Sequence, residues 1–151
     1  MIKIICVGKL KEKFFRDASE EYLKRISKYA NISIIELDDS TIADEKIALR
    51  KERDLILNKI NEKDYIITLD INALELNSVD FSNKIKNTLI SNSNITFVVG
   101  GSYGLHEDVK NKSNCGISFS KMTFPHQLFR VILLEQIYRA FKIINHEKYH
   151  K

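Results

Sequence analysis

Ile95-Thr96-Phe97-Val98-Val99-Gly100-Gly101-Ser102-Tyr103-Gly104-Leu105 is the stretch on which the reading of the fold turns. Its first five residues are apolar or β-branched with no polar alternation, the pattern of a strand buried on both faces. Three glycines then follow within five residues. Glycine there permits positive φ and lets another group approach the backbone closely. The spacing is G-G-x-x-G, not the dinucleotide G-x-G-x-x-G, and the loop comes late in the chain, so a Rossmann cofactor site is excluded on both counts. Taken alone, the loop reads equally well as a tight strand-to-helix turn.

Short apolar runs of the same kind recur on both sides of this stretch. Ile2–Val7 is closed by Gly8, Ile32–Leu37 by Asp38-Asp39-Ser40, and Tyr65–Leu69 and Gly116–Phe119 complete the set of predicted strands. Between them the periodicity changes to three and four. Phe14, Phe15, Ala18, Tyr22, Ile26 and Tyr29 predict a helix over Glu12–Tyr29, and Ile47, Leu55, Ile56 and Ile60 one over Ala43–Ile60. Helices are also predicted over Val79–Ile90, briefly over Leu105–Lys110, and over His126–Asn145 after the only proline, Pro125. Strands alternating with helices predict an α/β fold, a mainly parallel sheet flanked by helices, in one domain over residues 1–151. Such sheets take ligands at the carboxyl ends of their strands. The segments that matter are therefore those after Leu69, Val99 and Phe119.

Composition sets wider bounds. With 151 residues, 44% hydrophobic and 29% charged, the chain reads as a soluble cytoplasmic protein with no window of transmembrane length and no membrane role. Its first apolar run is too short for a signal peptide and lacks a small-residue cleavage site. A net charge of +4 permits a nucleic-acid partner without requiring one. Cys6 and Cys115 lie in apolar runs and read as buried thiols, and no Cys/His cluster has metal-ligand spacing.

Three further segments could carry chemistry. In Phe119-Ser120-Lys121-Met122-Thr123-Phe124-Pro125-His126-Gln127 a strand ends, a loop of apolar and hydroxyl residues follows, and proline sets the start of a helix. Its backbone suits an adenine edge, with Met122 and Phe124 on the face; the alternative is a loop that plugs the core. His126 reads as a packing residue. The last helix is apolar on several faces, from Leu128 and Val131 through Phe141 and Ile144, which suits a dimer interface. Arg139 stands four residues after Glu135, the spacing of an ordinary helical ion pair. The tail His146–Lys151 would ordinarily fray.

Taken together, these residues carry a resemblance. Ser118-Phe119-Ser120-Lys121-Met122-Thr123-Phe124-Pro125-His126-Gln127, Arg130, Glu135-Gln136-Ile137-Tyr138-Arg139-Ala140-Phe141 and the closing Tyr149-His150 closely resemble the ribosomal RNA large subunit methyltransferase H family, of the SPOUT class. Val7-Gly8-Lys9-Leu10-Lys11-Glu12-Lys13, Ile67-Thr68-Leu69-Asp70 and the glycine loop match as well, so the resemblance spans the chain in order. It implies a C-terminal trefoil knot and a homodimer. It implies S-adenosylmethionine as methyl donor, no metal, and methylation at N3 of a pseudouridine in the helix 69 loop of 23S rRNA, with the assembled ribosome as the expected substrate. The implied cofactor residues are Leu69, Gly100, Phe119, Ser120, Lys121, Met122, Thr123 and Phe124, with Gly100→Val expected to fill space the cofactor needs. Arg139 would hold the RNA phosphate or the developing uracil oxyanion. Tyr149 and His150 would contact the target base, His150 as a proton acceptor, in the partner subunit's site.

The chain departs from the family pattern in one place. Where relatives carry Gly-Lys and a serine pair, it has Ile71-Asn72-Ala73-Leu74-Glu75-Leu76-Asn77-Ser78, which removes any phosphate contact of that lysine. Two rival readings remain beside the resemblance: a SPOUT enzyme with another RNA target, such as a transfer-RNA ribose, and a non-catalytic ribosome-assembly factor that keeps the fold.

Overall fold

Residues 1–151 are described by a computed structural model. Its strands are β1 (Ile2–Val7), β2 (Ile32–Leu37), β3 (Tyr65–Glu75), β4 (Ile95–Val99) and β5 (Cys115–Ser118). They form one sheet in the order β2-β1-β4-β3-β5, with every neighbouring pair parallel. Alternate side chains of the inner strands enter different cores, as a strand's period of two requires. Ile2, Ile4 and Cys6 of β1, with Ile95, Phe97 and Val99 of β4, join the larger core, while Ile5, Val7 and Val98 join the smaller. This double burial explains the unbroken apolar runs.

Helices α1 (Lys13–Ile26), α3 (Ser78–Ser91) and α5 (His126–Ile144) cover the larger core through Ile26, Phe81, Ile85, Leu133 and Ile137. On the other face α2 (Glu45–Leu57) and α4 (Glu107–Lys112) contribute Ile56 and Val109. Side chains fully removed from water in this way contribute about 1.5–3 kcal/mol each. The helix starts are local: Asp44 accepts from the Ile47 amide, Asn77 from that of Asp80, and Pro125 precedes α5, where a missing N–H leaves nothing unsatisfied.

The predicted elements are all present, with ends displaced by up to three residues at the helices. Two differences bear on function. The third strand was expected to stop at Leu69 but continues to Glu75. Leu69 and Leu74 both stand in register with Ile117, so residues 70–73 leave the ladder and the chain returns to pair again with β5. Gly116 makes room for the return, since a Cβ there would lie 3.1 Å from that of Ala73. The fifth strand ends at Ser118, and Phe119, expected within it, instead turns edge-on against Phe81 at 5.3 Å. Both differences arise from long-range pairing that local periodicity does not carry.

The carboxyl edge is braced by a buried arginine. Arg130 of α5, 1% exposed, donates through Nη2 to the Gly8 carbonyl at 2.7 Å and through Nη1 to Glu36. Gly8 has φ +93°, and a Cβ on it would meet His126 Nε2 at 3.0 Å. His126 therefore packs as expected, and the start of α5 is fastened over the ends of β1 and β2. Cys6 lies nearby, its thiol pushed up to about 11 by burial.

At the opposite edge Asp64 joins the three central strands. It accepts from Lys3 Nζ at 3.0 Å, Thr96 Oγ1 at 2.8 Å and Asn94 Nδ2 at 3.0 Å. Burial pushes its carboxyl up, but the bonds from Thr96, Lys3 and Asn94 outweigh burial and hold it below the usual carboxylate range. A carboxyl lowered in the folded state stabilises above its unfolded value, near 3.9, and loses that contribution as pH falls through the folded value. Asp64→Asn is expected to cost about 2 kcal/mol at pH 7. Urea denaturation of both proteins should show this gap closing below about pH 4.

Candidate functional site

Three adjacent strands, β4, β3 and β5, end side by side, and the segments leaving them enclose a cleft of about 500 Å³. Leu69, Val99, Leu105 and Ile117 form an apolar base, and Phe119 and Phe129 form a wall. Phe119 is 5.4 Å from Phe129, and Phe124 stacks on Phe129 at 6.3 Å, so the aromatic wall is continuous. The three segments nominated from the sequence therefore meet in one place.

The loop after β5 closes by its own hydrogen bonds. Ser118 Oγ donates to the Ser120 carbonyl at 3.0 Å, and the Met122 amide donates to Ser120 Oγ at 2.9 Å. Ser120, Met122, Thr123 and Phe124 line the cleft with Leu69, Gly100 and Phe119. Lys121 is exposed and does not line it, because the turn points its side chain outward. This is the one member of the expected cofactor set outside the cleft.

The role expected of Gly100 also changes. A Cβ on Gly100 would lie 2.3 Å from the Gly104 carbonyl oxygen, because the loop folds back on itself through the Gly104 amide to the Gly101 carbonyl, 3.1 Å. The space beside Gly100 is taken by the loop's own backbone rather than left open. Gly104 has φ +81° and open surroundings, so it is required by conformation alone. Under Gly101 lies the buried Glu52 carboxylate, whose Oε1 accepts from the Ser40 amide at 3.2 Å and whose carboxyl burial pushes up.

Arg139, Tyr149 and His150 also come together, at the other end of α5. Arg139 donates to Glu135 Oε1 through Nε at 3.0 Å and Nη2 at 2.5 Å, the ion pair its spacing predicted. Its guanidinium lies over the Tyr149 ring at 4.8 Å, and Nη1 is 3.4 Å from His150 Nδ1. Tyr149 donates to Glu135 Oε1 at 3.1 Å and packs edge-on against Tyr138 at 4.9 Å. Glu147 pairs with Lys142 and accepts from Tyr29 Oη at 3.0 Å. The tail, expected to fray, is instead bound along α5 and α1, because its aromatic and charged groups find fixed partners. From Phe129 in the cleft to Arg139 is ten positions, about 15 Å of helix. Within one chain the two groups are separate.

Sequence reasoning did not single out Lys110 or a role for Asp70 in the cleft. Asp70 follows Leu69 directly; Lys110 lies on α4, and only the folded chain brings them together, Nζ to Oδ2 at 2.7 Å.

A family model described as predicted SPOUT methyltransferase matches residues 1–150. The chain belongs to the SPOUT methyltransferase family. Curated relatives include proteins named ribosomal RNA large subunit methyltransferase H from Clostridium tetani, 53% identical, and Clostridium botulinum strain Kyoto, 50% identical, each alignment covering 99% of both chains. Among solved structures, a probable methylase family protein from Haemophilus influenzae superposes with a TM-score of 0.59 at 11% identity, over 99% of this chain and 70% of that one. A tRNA (m1G37) methyltransferase from Aquifex aeolicus gives 0.56 at 13% identity, over 91% and 69%. At those identities the likeness is one of fold.

SPOUT methyltransferases use S-adenosylmethionine, and the cleft suits it. Its volume lies within the roughly 300–1,000 Å³ usual for ligand pockets, and apolar and aromatic walls with a few polar groups are their usual lining. The glycine loop gives a direct check. Gly104→Ala should cost about 1–2 kcal/mol for the left-handed backbone alone. Gly100→Ala should cost more, because its Cβ meets a carbonyl oxygen. Thermal denaturation of the two variants gives the order; equal losses would contradict the folded-back loop.

Proposed function

We propose that this chain methylates N3 of a pseudouridine in the helix 69 loop of 23S rRNA, in the cytoplasm, as a knotted homodimer acting on the assembled ribosome. The observation that carries the reading is similarity over 99% of both chains to relatives named ribosomal RNA large subunit methyltransferase H. A cleft at the carboxyl ends of adjacent strands supports it.

S-adenosylmethionine, when bound, supplies a methyl already activated by its sulfonium. The protein then has to align the target nitrogen and accept its proton. Alignment is worth roughly 7–11 kcal/mol, and a positioned base about 3–5 kcal/mol. Positioning is the larger contribution, and the rigid aromatic wall and self-bonded loops are built for it. In this reading Leu69, Ile117, Phe119 and Phe129 hold the adenine, while exposed Lys121 faces the RNA.

The separation along α5 argues for a site completed by two chains, the cleft of one protomer facing the tail of the other. Half-buried Leu128, Val131 and Ile132 on α5, with exposed Leu74 and Met122 beside the cleft, offer an apolar face for the second copy. Glu135 occupies two arms of Arg139, which leaves Nη1 for a phosphate or the uracil oxygen. Tyr149 is a donor and a stacking surface rather than a base: burial and the neighbouring Glu135 carboxylate push its phenol up to about 12. His150 takes the N3 proton once its Nδ1 leaves Arg139.

Nucleoside mass spectrometry of 23S rRNA from a deletion strain should show loss of 3-methylpseudouridine. A chain truncated after Lys148 should methylate ribosomes roughly 10² times more slowly or worse, and a Leu69→Arg chain should fail to bind the cofactor. Mixed dimers of the two should recover activity, since one intact cleft then meets one intact tail. No recovery would overturn the two-chain site, and a wild-type rate from the truncated chain would end the role of the tail.

A further inference from the structure

Among the side chains lining the cleft, Asp70 is the only carboxylate and Lys110 the only ammonium, and they are paired at 2.7 Å. Their side chains are 16% and 28% exposed, so the pair is largely removed from water yet open to the cleft. Asp70 Oδ1 also accepts from the Asn72 amide at 3.0 Å, and Lys110 also reaches Glu107 at 3.1 Å. Burial pushes the Asp70 carboxyl up, but the bonds from Lys110 and Asn72 outweigh it and hold the group below the usual carboxylate range. The pair is therefore ionised at neutral pH.

As a latch between β3 and α4 the pair would achieve little. Ion pairs at the surface contribute about 0–1 kcal/mol, and in buried ones desolvation offsets the attraction, so that apolar residues often replace them without loss. In a ligand cleft its value is different. Lys110 has a third donor to give, Asp70 has lone pairs to spare, and their opposite charges lie side by side. A ligand bearing an ammonium next to a carboxylate would complete an alternating arrangement of four charges. A ribose diol would use Asp70 but would leave Lys110 without a role.

We propose that Asp70 and Lys110 receive the amino-acid end of the methyl donor, Asp70 taking its ammonium and Lys110 its carboxylate. The inference rests on the reading of the cleft as the S-adenosylmethionine pocket. The pair would then set specificity, admitting adenosyl compounds with a zwitterionic end over those without one.

Calorimetry with two probes on the full-length protein tests this. S-adenosylhomocysteine carries the zwitterion, whereas 5′-methylthioadenosine keeps the adenosine and thioether without it. Asp70→Asn and Lys110→Met should each weaken S-adenosylhomocysteine about tenfold or more and leave 5′-methylthioadenosine within about twofold. Parallel loss of both ligands, or no loss of either, would overturn the proposal. The double variant Asp70→Lys with Lys110→Asp restores an ion pair, and so the fold should a single variant fail. It should bind 5′-methylthioadenosine normally and S-adenosylhomocysteine poorly; recovered S-adenosylhomocysteine binding would mean that the pair is only a latch. If the wild type bound neither probe, the cleft reading itself would fall, a result distinct from any confined to the variants.

Discussion

The register of β3 between its two neighbours is the constraint on which the rest depends. Leu69 stands opposite both Val99 of β4 and Ile117 of β5. Three chain exits are therefore level and adjacent, with strand spacing of about 4.8 Å between them. A slip of one residue would turn Leu69 away from the larger core and separate the exits. Because β3 is buried on both faces, with Ile66 in one core and Ile67 in the other, such a slip would expose apolar surface whichever way it went. Hydrophobic burial thus locates the cleft, although it says nothing of what the cleft holds.

Helix α5 relates this cleft to the rest of the chain. Its first turns carry Phe129 into the aromatic wall and are fastened by Arg130 to Gly8 and Glu36. A buried guanidinium is costly unless its donors find partners; here Nη1 and Nη2 do so and Nε does not. The last turns of α5 hold the C-terminal tail through Glu135, Tyr138 and Arg139. One helix therefore carries the wall of the cleft and the tail assembly about 15 Å apart, which is why the proposed site draws on two copies.

Inside the cleft, apolar and charged groups are segregated. The aromatic wall and Leu69 offer area without direction, suited to a flat ring. Asp70 and Lys110 offer direction at one place. The Gly104 amide bond to the Gly101 carbonyl closes the glycine loop, and two bonds to Ser120 close the loop after β5, so these turns are set before any ligand arrives. Preorganisation of that kind is what alignment-driven catalysis requires.

The sequence by itself determined the element order and the α/β class, because doubly buried strands and amphipathic helices leave distinct periodicities in the chain. It also named the three strand-end segments, since parallel sheets present their carboxyl ends to ligands. The motifs Ser118–Gln127 and Tyr149-His150 were legible as a family resemblance, and the match over residues 1–150 places the chain in the SPOUT family. What only the tertiary structure decided was everything that rests on pairing between distant residues. The return of β3 to β5 after residues 70–73, the outward turn of Lys121, the folded-back backbone beside Gly100, the tethered tail and the Asp70–Lys110 pair all belong here. Local patterns record how a segment buries its own face. They do not record which other segment, forty residues away, supplies the opposite charge.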